Sequence, residues 1–196
     1  MEMLIGLAIL AINLGVSWYN AVVCGRHWTE TKIMGGFPRL LMWCAATQSA
    51  VGFSMLLIII GVFGASALGH MPPKAMHAAM SLWYLAVIIP AIGTGLVVTI
   101  HSWIVAWRER SWQNVGAAAW NTYAAGSNLF NAANGGVLDA ILDVSDLFDG
   151  DDAGGAIAKL VLFLVIVSLL GGVLVTCLLI RKHDRIARRQ LRYAYA

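Results

Sequence analysis

Charged residues are scarce in this chain of 196 residues. Asp, Glu, Lys and Arg together make up 12% of it, whereas soluble proteins carry roughly 25%. Hydrophobic residues reach 60%, and they are gathered in long blocks. This composition excludes a soluble globular domain, because a bilayer is the environment that requires continuous apolar runs of about 20 residues.

Cysteine and the common catalytic motifs are sparse or missing as well. Cys24, Cys44 and Cys177 are widely spaced and form no CxxC or Cys/His zinc pattern. We interpret all three as small hydrophobic side chains. The sequence has no P-loop, GxSxG or HExxH motif. The apolar blocks also lack the acidic residues that mark proton-coupled transporters. A non-enzymatic protein is therefore favoured.

Four apolar blocks are long enough to cross a membrane as helices. They cover residues 3–23, 40–68, 75–107 and 157–180. Glu2 is the only charge before the first block, and no cleavage site follows it, so we expect an uncleaved transmembrane helix rather than a signal peptide. The predicted fold class is all-α: a polytopic membrane helical bundle that forms a single membrane domain over residues 1–196.

The stretch between the third and fourth blocks is only weakly apolar. Residues 114–142 are rich in Gly, Ala and Asn, and residues 143–156 are predicted to form an acidic loop. Asn114, Asn121, Asn128 and Asn131 fall within about 80° of one helical face. We expect a membrane-associated segment over 114–142. It is either amphipathic at the surface, re-entrant with a break at Gly135–Gly136, or a fifth crossing with its polar face covered.

The distribution of charge favours the fifth crossing. Six of the thirteen basic residues lie between Arg181 and Arg192, and others flank the remaining blocks. With four crossings, no orientation keeps these basic segments on one side of the membrane. With five, the basic tail 181–196, Arg108 and Arg110 are all cytoplasmic. We expect an integral protein of a bacterial-type inner membrane whose tail contacts the cytoplasmic leaflet rather than nucleic acid.

Two groups of side chains could hold a cofactor, although none is firmly expected. His27 and His101 close the first and third spans on the same side of the membrane, where two imidazoles could ligate haem b. A second group combines thioether and imidazole donors, which suit copper. It consists of His70, Met71, Met76, His77 and Met80.

These patterns predict an integral membrane subunit that oligomerises or docks to other membrane proteins. Its most specific form is a polar pore lined by Asn121, Asn128 and Asn131, with Asn13 at a helix interface. The expected partners are the lipid bilayer and either further copies of the chain or other membrane proteins. One alternative is a haem- or copper-binding redox or metal-handling protein. Another is a membrane component of a mobile element or virion.

Overall fold

The protein is a bundle of long helices. The computed structural model describes residues 2–34, 36–148 and 152–194. Within these ranges the chain forms six α-helices, and a π-helical segment, Ala132–Gly136, joins the fourth to the fifth. The all-α prediction is confirmed. The helices are α1 (Glu2–Met34), α2 (Phe37–Ala67), α3 (Pro73–Glu109), α4 (Trp112–Asn131), α5 (Val137–Phe148) and α6 (Asp152–Ala194).

Helices α1, α2, α3 and α6 are each long and apolar enough to cross a membrane, so this is a multi-pass membrane protein. They cover the four predicted spans except Leu68 at the end of the second, and they extend beyond them elsewhere. Helix α1 continues to Met34, because the next helix-breaking residues after Gly25 come only at 35–38. Helix α6 runs through the basic tail, which contains neither Gly nor Pro.

The acidic segment 143–156 differs from the predicted loop. Residues 143–148 belong to α5 and residues 152–156 to α6, while 149–151 lie outside the described residues. The physical reason is visible at Leu147, which packs against the hydrophobic core formed by α2, α3 and α6. An apolar anchor of this kind holds the surrounding acidic residues in a helix.

Helix α2 lies at the centre of the bundle and packs against α1, α3 and α6. It approaches the backbone of α6 closely at Gly172. A Cβ atom added there would lie 2.5 Å from the carbonyl oxygen of Ala50 and 2.7 Å from the amide nitrogen of Ser54. Helices in lipid associate largely through van der Waals packing, so such small-residue contacts hold the backbones together.

Hydrogen bonds between helices identify the middle of the bundle. Asn13 and Ser54 lie at the middle of the predicted spans 3–23 and 40–68. The amide of Asn13 donates to Sδ of Met55 at 3.5 Å, and Nε1 of Trp83 donates to Oγ of Ser54 at 3.0 Å. The middles of the predicted spans 3–23 and 40–68 are therefore level with Trp83, in the first third of α3.

Helices α4 and α5 return along α3 in the opposite direction. Trp103 donates a hydrogen bond of 2.9 Å to Thr122 near the start of this stretch. Gly136 lies beside Tyr84, since a Cβ added to Gly136 would be 3.6 Å from the tyrosine oxygen. The π-helical segment is thus level with the middle of the predicted spans 3–23 and 40–68. Gly135 adopts φ 92°, a left-handed conformation that favours glycine and breaks the helix.

The basic residues gather at one end of this arrangement. We call it the basic end: it contains the ends of α1, α3 and α6 and the starts of α2 and α4. Of the thirteen Lys and Arg residues of the chain, Lys74 and Lys159 lie at the opposite end, where α5 brings Asp143 and Asp146. We call that the acidic end. The return of 112–148 along α3 thus places the acidic residues of α5 away from the basic end.

Candidate functional site

Two adjoining cavities at the basic end form a recess between α1, α2, α3 and α4. The outer cavity has a volume of about 220 Å³ and the inner one about 50 Å³. They share Val23, Leu41, Ala45 and His101. The polar lining side chains of the two cavities include Tyr19, Asn20, His27, His101, Asn114 and Asn121.

Asn114 connects three helices at the inner cavity. It is buried, with 5% of its surface exposed. The hydroxyl of Tyr19 in α1 donates to its Oδ1, and its own Nδ2 donates to Oε2 of Glu109 at 2.7 Å. The amide is therefore paired on both sides, which fixes the start of α4 against α1 and the end of α3. The sequence placed Asn114 on the Asn face but gave no sign of these partners.

His27 and His101, the predicted haem ligands, both line the outer cavity. His101 is half-buried, whereas His27 is exposed and its Nδ1 lies 3.1 Å from Oε2 of Glu30. The structure thus brings the pair to one site. Among the described residues, no three His, Cys, Asp or Glu side chains are grouped so that they could hold a metal ion.

The predicted copper ligands are divided between the core and the surface. Met71 is buried, and Met76 and Met80 pack against the same hydrophobic core. His70 and His77 are exposed. The thioethers fill gaps between helices, as Met commonly does.

The four Asn residues predicted for a pore or helix interface lie in different surroundings. Asn13 contacts Met55 of α2, and Asn121 lines the inner cavity. Asn128 is half-buried, whereas Asn131 is exposed beside the π-helical break. Asn121, Asn128 and Asn131 all belong to the regular helix α4, which ends at Asn131.

The outward surface of α4 and the π-helical segment carries small and polar residues beside the exposed large side chains Tyr123, Leu129 and Phe130. We call it the α4 face and define it by the exposed residues Ala119, Gly126, Asn131, Ala133 and Asn134. Asn134 is not among the residues that the sequence pattern predicts for a site. The signal was the neighbouring Gly135–Gly136 pair, which predicted the break. Nδ2 of Asn134 donates to the carbonyl oxygen of Phe130 at 2.9 Å.

The fold and the separation of charge define the class: a multi-pass α-helical membrane protein. No protein-family model, curated protein or solved structure matches the chain. A more specific function therefore has to be argued from the recess, the α4 face and the charged ends.

Proposed function

We propose that this protein is a non-enzymatic subunit of an oligomeric membrane assembly, in which copies meet along the α4 face. One observation carries the proposal. Asn131, Asn134 and a break in the helix are exposed on the outside of the bundle, level with its middle. At that depth the surrounding medium of an isolated copy is hydrocarbon.

Hydrocarbon offers no hydrogen bonds to polar groups. Unpaired amide and backbone groups are costly there, and irregular backbone at membrane depth is tolerated where protein or a water-filled cavity covers it. Asn134 uses one N–H on Phe130, which leaves its carbonyl oxygen and second N–H to be satisfied. A second protein surface or a polar path at this position supplies those partners.

The shape of the α4 face suits close helix contact. Ala119, Gly126 and Ala133 follow one another at intervals of seven residues. Gly126 has nothing within 4 Å of the position that a Cβ would occupy, so the surface in front of it is open. Small residues let a neighbouring backbone approach closely enough for packing and interhelical hydrogen bonds.

A second copy of the chain is the partner that this face fits. An amide carries both donors and acceptors, so equivalent Asn side chains can pair with one another across a symmetry axis. With several copies around that axis, Asn131 and Asn134 would line a polar path. Asp143 and Asp146 at the acidic end would then attract cations to its mouth. In this arrangement the chain crosses the membrane five times with the basic end cytoplasmic.

Disulfide cross-linking in membranes tests this proposal. In a background without the three native cysteines, Ala133→Cys should give covalent dimers on oxidation. Leu170→Cys is the matched control, because Leu170 is exposed near the middle of α6 on another side of the bundle. Equal cross-linking at both positions, or none at residue 133, would contradict an interface at the α4 face.

Haem binding is a second candidate, and the shared position of His27 and His101 on the outer cavity favours it. The cavity volume argues in the other direction. About 220 Å³ is less than the roughly 300–1,000 Å³ of typical small-molecule sites. A tetrapyrrole would require α1 and α3 to separate. An absorption spectrum of the purified protein distinguishes this candidate from the first.

A further inference from the structure

A separate groove opens on the outer surface at the basic end, between α1, α2 and α6. Its volume is about 480 Å³. We call it the α2–α6 groove. Its apolar floor includes Ala46, Ala50, Val173 and Cys177, and its rim carries Arg181, Asp184 and Arg188. The groove is thus apolar along its floor and charged along its rim.

The rim is organised around Asp184, whose surface is 6% exposed. Its carboxylate accepts hydrogen bonds of 2.5 Å from Oγ1 of Thr29 and of 3.0 and 2.5 Å from Nε and Nη2 of Arg188. Because the buried carboxylate is paired in this way, it orients the Arg188 guanidinium along the groove.

Arg181 leaves the rim with an excess positive charge. The charge of Asp184 is matched by Arg188, whereas Arg181 is exposed and forms no ion pair among the described side chains. The neighbouring Lys182 is directed elsewhere, with its Nζ 5.8 Å from the centre of the Trp18 ring. The uncompensated charge therefore lies at the groove itself.

The depth of the groove matches that of a lipid molecule. Arg181 directly follows the apolar span 157–180, which places it at the boundary between hydrocarbon and headgroups. From there the floor continues to Val173, about 12 Å toward the middle of the bundle at 1.5 Å per residue. Trp28 and Trp43 form one wall, with ring centres 6.2 Å apart in an edge-to-face arrangement. Tryptophan is enriched at this level of membranes.

We propose that the α2–α6 groove binds an anionic phospholipid. Its phosphate would contact Arg181 and the free edge of Arg188, and one acyl chain would lie on Ala46, Ala50 and Val173. Basic pockets between transmembrane helices on the cytoplasmic side suit anionic headgroups. Guanidinium groups also match phosphate oxygens in geometry. The net charge of the rim favours an anionic lipid over a zwitterionic one.

Native mass spectrometry of the full chain, titrated with phosphatidylglycerol or phosphatidylcholine, tests the proposal. Phosphatidylglycerol should bind more tightly, and Arg181→Gln should weaken it about fivefold, the effect of one arginine near a membrane surface. Arg185→Gln is the matched control, because Arg185 is exposed on the next turn and does not line the groove. It should leave the affinity unchanged.

A second variant separates the groove from general attraction between charges. Ala46→Phe fills the floor without altering any charge, and it should also weaken phosphatidylglycerol binding. Equal losses in Arg181→Gln and Arg185→Gln would overturn the proposal in favour of diffuse attraction. Equal affinity for the two lipids would overturn it in favour of a non-selective lipid layer. Loss of oligomers in Ala46→Phe, with lipid binding intact, would assign the groove to a protein partner.

Discussion

The hydroxyl of Ser81 in α3 donates a hydrogen bond of 2.7 Å to Oδ2 of Asp143 in α5. The two residues are 62 positions apart, and the contact ties the end of the returning segment to the beginning of α3. A segment that lay on the membrane surface at the basic end would not reach Ser81. The contact therefore holds the weakly apolar returning segment against α3 beyond Tyr84, toward the acidic end.

The first prediction concerns topology. Residues 113 and 145 should be on opposite sides of the membrane, and residue 190 on the same side as 113. Single cysteines at these positions, in a background without the native cysteines, can be labelled with a membrane-impermeant maleimide in intact and in permeabilised cells. Residue 145 should react before permeabilisation, and residues 113 and 190 only after it. Labelling of 113 and 145 under the same condition would rule out the fifth crossing.

The second prediction concerns the contact between α2 and α6. Gly172→Ala places a methyl group against the backbone of Ala50 and Ser54. Overpacking of this kind typically costs about 1–3 kcal/mol of unfolding free energy, which can be measured by denaturant titration in detergent. Gly64→Ala is the control, since Gly64 in α2 has nothing within 4 Å of its Cβ position. Similar stabilities for the two variants would show that the helices do not pack this closely.

Some features of this protein can be predicted from its sequence because they depend only on the order of residues along the chain. Apolar block length indicates the four spans, and the position of charges between them favours a return of 114–142 along the bundle. The partners of Asn114 and Asp184 depend on how each helix is rotated about its axis. Hydropathy contains little of that information when most faces of a helix are apolar. For the same reason, the sequence does not reveal that Met71 is part of the hydrophobic core.

The third prediction separates folding from assembly. Asn114→Leu removes the partner of Tyr19 and Glu109 at a buried position, so it should lower the free energy of unfolding by about 1–3 kcal/mol. Asn131→Leu acts on an exposed residue and should leave the stability of a single copy unchanged. In size-exclusion chromatography with light scattering, Asn131→Leu should instead shift the protein toward monomers. A loss of stability in Asn131→Leu, together with unchanged stability in Asn114→Leu, would show that Asn131 rather than Asn114 stabilises the single copy.

The fourth prediction tests the cofactor alternatives. On the proposed function, the purified protein should show no Soret absorption band, and elemental analysis should find no stoichiometric copper. His101→Ala should then retain the oligomeric state of the unmodified chain. A Soret band that disappears in His101→Ala, but persists in His77→Ala, would instead establish haem at the outer cavity. If the unmodified protein contains copper and His77→Ala does not, the second group of residues would be established as copper ligands.

The fifth prediction concerns the pore, the most specific form of the proposed function. Because Asn131 and Asn134 are exposed at the middle of the bundle whereas Asn128 is half-buried, a path between copies should depend most on the first two. Asn134→Leu should abolish conductance in planar bilayers, and Asn128→Leu should reduce it less.

Charge at the acidic end provides an independent test of the same path. Asp146→Asn should lower the preference for cations, more strongly at low salt, where charges are less screened. Lys159→Gln is the control for an exposed charge of opposite sign. Conductance that stays unchanged in Asn134→Leu, with the oligomer intact, would leave the α4 face as an interface and remove its role as a pore lining.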